Sequence, residues 1–354
     1  MYNQKRIADF GVKIGRLSRG PLNAITDVAG VTVGHVTLKN KDIQTGVTAI
    51  LPHQGNVFKE KLIASSHVIN GFGKTIGTIQ INELGTLETP IVLTNTASVG
   101  TAAEALIADT MEQNPEIGRT TGTVNPVIGE CNDMFLNDVR TQAVQKEHVL
   151  ESLTNTAAEF EEGAVGAGRG MLCYSLKGGI GSASRLMEFA HGVYTMGVLV
   201  LTNFGMLSDL RVNGKPVGED LKQALLDSGE QKDKGSVMVI VATDLPVSER
   251  QLNRILKRSV TGLSRTGAMI GHGSGDIVLG FSTATKIPHD KPAQPLSLPT
   301  IHEGDIDTAF RAIGEATEEA VLNSLVTADP VTGREGNERP AFKDLLEQFD
   351  IRLT

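Results

Sequence analysis

The sequence has 354 residues, of which 40% are hydrophobic and 21% are charged, so its composition is that of a globular protein rather than a disordered one. Its 33 basic and 41 acidic residues give a net charge of −8, which argues against nucleic acid as a partner. No apolar run reaches the ~20 residues that span a bilayer, and the first residues lack the apolar core of a secretion signal. The 2 cysteines cannot form a disulfide framework. We therefore expect a cytoplasmic α/β protein that binds neither nucleic acid nor membranes.

The predicted elements of the first half are mostly short strands. Residues 25–38 predict two strands joined by a turn at Gly30, and residues 45–53 and 89–96 predict one strand each. Val99–Gln113 has apolar residues at helical spacing and predicts a helix. The strand-forming runs are β-branched and almost continuously apolar, which is typical of strands that are buried on both faces.

The second half alternates strands and helices around one polar segment. Its predicted strands are residues 197–203, Ser236–Thr243 and 276–282. Its predicted helices are residues 248–259 and 307–325. The first of these helices begins with a capping box, because Gln251 follows Ser248 by three positions. Residues 227–235 are polar and charged, so we expect an exposed, flexible loop there. No linker divides the chain, and strands packed between helical layers predict one large layered α/β domain.

The junction between this polar loop and the following strand carries a chemical hypothesis. Gly235 has no Cβ, so its carbonyl can be approached closely, and the Ser236 hydroxyl follows it directly. An N→O acyl shift and chain cleavage would free the α-amino group of Ser236. An α-amine has a pKa of ~8, so it can act at neutral pH as the base for its own hydroxyl. From the residues alone, an ordinary loop-to-strand junction is the better interpretation, because Gly-Ser pairs are common in turns.

The other glycine-rich motifs do not complete a known site. Residues 71–75 are similar to a phosphate-binding loop, but position 68, where that motif requires glycine, is valine. The glycines of residues 166–170 and 271–275 lack the spacing of a dinucleotide site. The histidines have no ligand spacing, and Cys131 is better interpreted as a buried thiol than as a nucleophile. We therefore expect neither a metal nor an organic cofactor.

Six blocks, in chain order, resemble one known family. They are ITDVAGVTVGH, TGVTAILPH, GECNDMFLND, GAVGAGRGM, GSVMVIVATD and GHGSGDIVLGFSTA. On these blocks the chain resembles the DmpA-like L-aminopeptidase/D-esterases and β-peptidyl aminopeptidases. The resemblance implies an αββα four-layer sandwich, similar to the N-terminal-nucleophile (Ntn) hydrolases but with the strand connectivity of DmpA and the ornithine acetyltransferases. It also implies one domain, autocleaved between Gly235 and Ser236 into residues 1–235 and 236–354.

The resemblance implies a nucleophile and two supporting residues. Ser236 matches the nucleophile, and Ser274 and Asp276 match a serine and an acidic residue that support it through a hydrogen-bonded relay. Some relatives carry glutamate in place of this aspartate. Without the resemblance, residues 274–276 are interpreted as a turn before a strand.

Two further residues receive roles in the same way. Asn203 matches an asparagine of the oxyanion hole, and Glu130 matches a carboxylate that binds the free amino group of the substrate. Their alternatives are a turn asparagine at a strand end and a solvated surface glutamate. The family also carries a tyrosine near the GE block, where this chain has Asn132 and Phe135. This difference places the oxyanion support or the specificity in question.

The leading hypothesis is therefore a self-processing serine aminopeptidase. It would hydrolyse peptides, amides or esters that have a free N-terminal amino group on a small L-, D- or β-residue, through an acyl-enzyme on Ser236. The resemblance also implies homo-oligomers of processed heterodimers. One alternative is acyl transfer to an amine, as in the ornithine acetyltransferases, whose nucleophile is threonine. The other is a non-processing relative that binds a small ligand.

Overall fold

A computed structural model describes residues 4–225 and 235–353 of the chain. Its strands are β1 (Thr32–Asn40), β2 (Ile43–Leu51), β3 (Glu60–Gly71), β4 (Thr86–Leu87), β5 (Ile91–Asn95), β6 (Val127–Cys131), β7 (Leu172–Cys173), β8 (Leu176–Lys177), β9 (Ile180–Phe189), β10 (Gly192–Asn203), β11 (Ser236–Thr243), β12 (Gly275–Pro288), β13 (Val331–Thr332) and β14 (Glu338–Arg339). Its α-helices are α1 (Thr78–Leu84), α2 (Val99–Gln113), α3 (Lys146–Thr154), α4 (Val217–Ala224), α5 (Glu249–Leu256), α6 (Ser259–Arg265), α7 (Ile306–Val326) and α8 (Phe342–Gln348). The protein is thus of mixed α/β class.

Two sheets dominate the fold. The smaller has the order β1-β2-β5-β6, in which β5 and β6 are parallel and the other neighbours are antiparallel. The larger has the order β4-β3-β12-β11-β10-β9, in which only β11 and β12 run parallel. Strands that are distant in sequence are therefore neighbours in the larger sheet.

The central strand β11 shows how the core is organised. Its side chains alternate in direction, as they must in a strand. Val237, Val239 and Val241 join an apolar cluster that includes residues of α5 to α8. Met238, Ile240 and Ala242 join a second cluster, to which both sheets contribute. A third cluster packs α2 and α3 against the smaller sheet. The nearly continuous apolar sequence of β11 follows from this burial on both faces.

Most predicted elements are confirmed, and three predictions about strands need correction. β11 and α2 have the predicted bounds, and Ser248 caps α5, accepting the N–H of Gln251 at 3.2 Å. The strand predicted at the start of residues 25–38 is wrong, because Ile25–Asp27 is a short 3-10 helix. The Asp27 carboxylate accepts the main-chain N–H groups of Leu22 and Ala24 and so holds a turn there. β12 extends to Pro288, beyond the predicted residue 282, and β10 begins at Gly192, before the predicted residue 197.

Some predictions lie outside what the structure describes. The loop at residues 227–235 is outside the described residues except for Gly235. Within the described ranges, no helix has the length and apolarity needed to cross a membrane.

Candidate active site

Ser236 lies at the junction of three neighbouring strands. It is the first residue of β11, paired with Asn203 at the end of β10 on one side and with Gly275 at the start of β12 on the other. Ser236 is 7% exposed, and its Oγ accepts the N–H of Gly275 at 3.1 Å. The strand order therefore brings together three sequence segments that the motif analysis singled out separately.

Gly235 fits this junction because it has no side chain. A Cβ on Gly235 would lie 2.1 Å from the carbonyl oxygen of Asn203 and 2.4 Å from Cα of Phe204. Both contacts are with main-chain atoms, which cannot move aside without separating β10 from β11. The close approach of backbone to backbone thus requires glycine at the residue before Ser236.

Ser274 and Asp276 form a buried pair beside Ser236. The Ser274 hydroxyl donates to Asp276 Oδ2 and has the carbonyl oxygen of Gly271 as a second acceptor at 2.7 Å. The side chains of Ser274 and Asp276 point away from bulk water, at 1% and 2% exposure. The described residues show no direct hydrogen bond between Ser236 and Ser274. Instead, the N–H of Gly275, between the two supporting residues, donates to Ser236.

The orientation of the Asn203 amide is set by two main-chain partners. Its Oδ1 accepts the N–H of Leu172 at 3.0 Å, and its Nδ2 donates to the carbonyl oxygen of Asn132 at 3.0 Å. An amide nitrogen carries two protons, so one N–H remains for another acceptor. Because Asn203 also lines the cleft next to Ser236, that N–H is available to a developing oxyanion.

Glu130 is a buried carboxylate and not the solvated surface residue of the alternative interpretation. It is 3% exposed, lies in β6, and comes from the smaller sheet rather than the larger one. The main-chain N–H of Lys74 donates to its Oε1 at 2.9 Å, and the hydroxyl of Thr96 donates to its Oε2. Each carboxylate oxygen can accept more than one hydrogen bond, so Glu130 keeps capacity for an ammonium group.

An open cleft of about 590 Å³ lies over this junction. The predicted residues Asn203 and Gly235 line it, as do the two residues near the missing tyrosine, Asn132 and Phe135. The sequence analysis missed its other lining residues, which are Phe72, Met134, Leu172, Ser175, Phe204, Gly205, His272, Gly273 and Arg334. These residues come from loops and strand ends scattered along the sequence, and they share no spacing from which the cleft could be inferred.

The described residues that line the cleft include no tyrosine that could replace the one that the family carries near the GE block. Tyr174 lies close, with its ring centroid 5.3 Å from that of Phe204. Its hydroxyl is instead buried, 2.8 Å from Oγ1 of Thr266. The Tyr174 hydroxyl therefore does not take the place of the family's tyrosine in supporting an oxyanion.

Two ionisable residues after Glu130 are fully buried. Burial raises the pKa of Asp133 to about 7, and the charge of Glu130 acts in the same direction. Asp133 Oδ1 accepts a hydrogen bond from Asn137 at 3.1 Å, while its buried Oδ2 has no hydrogen-bond partner. Burial also raises the pKa of the Cys131 thiol, which agrees with the prediction of a buried thiol. In the described residues, no three His, Cys, Asp or Glu side chains cluster as metal ligands.

A serine beside a spare amide N–H and a Ser–Asp pair, under an open cleft, has the components of a serine hydrolase site. Residues 23–339 match peptidase family S58. The β-peptidyl aminopeptidase BapA of Sphingosinicella microcystinivorans is 37% identical over 353 residues, which cover 94% of this chain and 88% of that protein. The chain belongs to peptidase family S58 and is an aminopeptidase.

Two solved structures share the whole fold. A protein from Pyrococcus horikoshii OT3 superposes with a TM-score of 0.93 at 47% identity, over 98% of each chain. The L-aminopeptidase D-Ala-esterase/amidase of Ochrobactrum anthropi superposes with a TM-score of 0.89 at 33% identity, over 99% of each chain. The latter is described as a prototype of the serine aminopeptidases and a variant of the Ntn hydrolase fold. The predicted family and the predicted class of enzyme are therefore confirmed.

Proposed function

We propose that Ser236 is the N-terminal nucleophile of this aminopeptidase and that it is freed by cleavage of the Gly235–Ser236 bond. The observation that carries the proposal is the alignment of Asn203, Ser236 and Gly275 on adjacent strands, directly after a glycine at which a Cβ would clash with main-chain atoms. Cleavage would give chains of residues 1–235 and 236–354 within a single domain.

The processing step follows from the chemistry of the junction. Ser236 Oγ attacks the carbonyl carbon of Gly235, the peptide C–N bond breaks, and the proton of the hydroxyl moves to the released nitrogen. Water then hydrolyses the resulting ester, which leaves a carboxylate on Gly235 and a free α-amine on Ser236. This amine can take up the hydroxyl proton in each later turnover.

In turnover, Glu130 would pair with the ammonium group of the substrate, and Ser236 would attack the carbonyl of its first residue. The free N–H of Asn203 would stabilise the oxyanion, an interaction typically worth ~3–4 kcal/mol. Ser274 and Asp276 would hold and polarise the Ser236 group after processing. The leaving amine departs, and water hydrolyses the acyl-enzyme. The name of the BapA relative, a β-peptidyl aminopeptidase, supports β-residues among the N-terminal residues that this enzyme accepts.

The finer architecture belongs to the same proposal. We infer the four-layer αββα sandwich of the Ntn-like enzymes, with α2 and α3 outside the smaller sheet and α5 to α8 outside the larger one. The three apolar clusters support this order of layers. A cytoplasmic location and assembly into homo-oligomers stay predictions.

The alternatives are less well supported. An acyltransferase would resolve the acyl-enzyme with an amine instead of water, and this chemistry uses the same nucleophile. The matched family is a peptidase family, and the named relatives are aminopeptidases, so hydrolysis is favoured over aminolysis. A ligand-binding relative without catalysis would have no need for the buried Ser274–Asp276 pair next to Ser236.

The mass of the purified protein under denaturing conditions tests the proposal. The chain of 37.6 kDa should appear as two species of roughly 25 and 12–13 kDa, in proportion to 235 and 119 residues, if Ser236 cleaves the preceding bond. Ser236→Ala should remain a single inactive chain. Processing of this variant at the normal rate would show that another group attacks the bond.

A further inference from the structure

The cleft over Ser236 has an uneven distribution of charge. Among the described residues that line it there is no carboxylate, whereas Arg334 and His272 are both able to carry a positive charge. Its remaining walls are mostly apolar or aromatic, and they include Met134, Phe135 and Leu172. A cationic group in an apolar cleft strongly attracts an anionic group of a ligand, because water screens the interaction less there.

The main chain of Arg334 is held by a hydrogen bond, whereas its guanidinium pairs with no carboxylate among the described residues. Its main-chain N–H donates to the carbonyl oxygen of Leu136 at 2.8 Å, and the N–H of Glu335 donates to Asp42 Oδ1 at 3.0 Å. Within residues 4–225 and 235–353, no carboxylate pairs with its guanidinium, and its Nε is buried without a hydrogen-bond partner. The planar guanidinium matches a carboxylate with two parallel hydrogen bonds, so a carboxylate is the ligand that it fits best.

The position of Arg334 relative to the reaction centre can be traced along one segment. Residues 130–136 begin with Glu130, pass Asn132, whose carbonyl contacts Asn203, and end at Leu136, which contacts Arg334. Glu130 is therefore one end of this segment, and Arg334 contacts the other end. The side-chain amide of Asn203 contacts the segment between these two points. Six residues span at most roughly 20 Å when extended. A turn, in which the N–H of Leu136 donates to Asp133 at 3.1 Å, makes the distance shorter.

We propose that Arg334 binds the C-terminal carboxylate of the residue that follows the scissile bond. The inference rests on the proposed function and specifies its substrate class: dipeptides with a free C-terminus, whose ammonium pairs with Glu130 and whose carboxylate pairs with Arg334. Longer peptides, amides and esters lack a carboxylate at this position and gain nothing from the arginine. Arg334 is thus a specificity-determining residue.

Two substrates that differ in one group test the proposal. The purified, processed enzyme is assayed with β-alanyl-L-leucine and with β-alanyl-L-leucinamide, and β-alanyl p-nitroanilide reports the activity without a carboxylate. We expect kcat/KM of the wild type to favour the acid over the amide by ~10–100-fold, since one charge-assisted pair is lost in the amide. Arg334→Gln should lower kcat/KM for the acid by this factor and leave the amide and the anilide unchanged.

Two control variants separate the role of Arg334 from general effects. Arg339→Gln removes an arginine that lies 3.8 Å from the Phe135 ring and does not line the cleft, so the preference for the acid should persist. His272→Gln removes the other cationic group of the cleft and should also leave the preference intact.

Each contrary outcome has a distinct meaning. If the wild type does not prefer the acid, or if Arg334→Gln lowers acid and amide equally while processing and anilide hydrolysis stay normal, the role of Arg334 is wrong and the proposed function stands. A loss of the preference in His272→Gln but not in Arg334→Gln would likewise overturn it. If the wild type neither processes nor hydrolyses any of the three compounds, the proposed function itself is wrong.

Discussion

At the scale of single residues, the proposed roles of Glu130 and Asn203 rest on side chains that two hydrogen-bond partners already hold in place. Glu130 is held by Lys74 and Thr96, and Asn203 by Leu172 and Asn132, so neither side chain is free to rotate. Such fixed groups need no reorganisation when a charged substrate arrives, which is the main source of electrostatic stabilisation in enzymes.

The role of Glu130 can be tested with one substitution. Glu130→Gln should lower kcat/KM for substrates with a free amino group by ~10²-fold, since removing one partner of a buried ion pair costs about 2–5 kcal/mol. Substrates with an acetylated amino group should be affected little. Glu88→Gln, which removes a buried carboxylate paired with Lys61, is the control and should not alter the ratio between the two substrates. Equal losses on both substrates would contradict a role in amine binding.

The raised pKa of Asp133 predicts that the stability of the fold depends on pH. Because its pKa is about 7 in the fold and 3.8 ordinarily, the folded protein keeps a proton that the unfolded chain has lost between these values. Stability should therefore fall as the pH rises through this window and stay level above it. Asp133→Asn removes the penalty, so its free energy of unfolding relative to the wild type should rise between pH 5 and pH 8 by on the order of 2 kcal/mol.

Urea denaturation of both proteins at the two pH values measures this difference. Asp329→Asn is a suitable control, because its exposed carboxylate pairs with Lys343 at the surface. It should show no comparable change with pH. A constant difference between Asp133→Asn and the wild type would mean that Asp133 is ionised at both pH values.

At the scale of elements, the start of β11 places the proposed nucleophile at the first residue of a central strand. The main-chain atoms of Asn203 and Phe204 leave no space for a side chain at Gly235. The close packing against β10 therefore restricts the movement of the Gly235–Ser236 junction, which is also largely buried.

This packing predicts the behaviour of Gly235→Ala. A methyl group placed 2.1 Å from the carbonyl oxygen of Asn203 should force the ends of β10 and β11 apart and displace the scissile carbonyl from Ser236. We expect the chain to remain largely uncleaved when its mass is followed over time. Gly122→Ala, at a position with no heavy atom within 4 Å of a Cβ, should be processed at the normal rate. Normal processing of Gly235→Ala would show that the close approach is not needed.

The elements also show how far the sequence allows structure and site to be predicted. The apolar run of β11 and the helical spacing of α2 predicted both with the observed bounds, because local patterns there agree with their burial. The strand predicted at the start of residues 25–38 is wrong, since the hydrogen bonds of Asp27 with nearby N–H groups outweigh the strand preference of the sequence. Asn203 and Arg334 line one cleft only through tertiary packing, and no sequence spacing encodes that packing.

At the scale of the whole molecule, the larger sheet interleaves the two halves of the sequence. Strands β12 and β11 come after residue 235 and lie between β3 on one side and β10 on the other, both of which come before it. The buried Arg185 of β9 also pairs with Glu315 and Glu319 of α7, at 3.3 and 2.6 Å. Breaking such a buried pair is costly, because it leaves a charge without its partner.

If the chain is cleaved after residue 235, its two parts should stay together. We expect one species by size-exclusion chromatography under native conditions, two chains on a denaturing gel, and one cooperative thermal transition. The physical reason is that separation would expose both edges of the β11–β12 pair and the Arg185 ion pairs at once. Elution of two separate chains from native protein would contradict the interleaved arrangement.

The placement of β11 at the middle of the larger sheet determines how a chain end created at Ser236 would behave. Ends created by proteolysis usually fray, because they lie in exposed loops with few contacts. An end created at Ser236 would instead have a paired strand on each side and a buried side chain. Cleavage there would change the connectivity of the chain without giving its new terminus freedom to move, so the released amine would remain where it was formed.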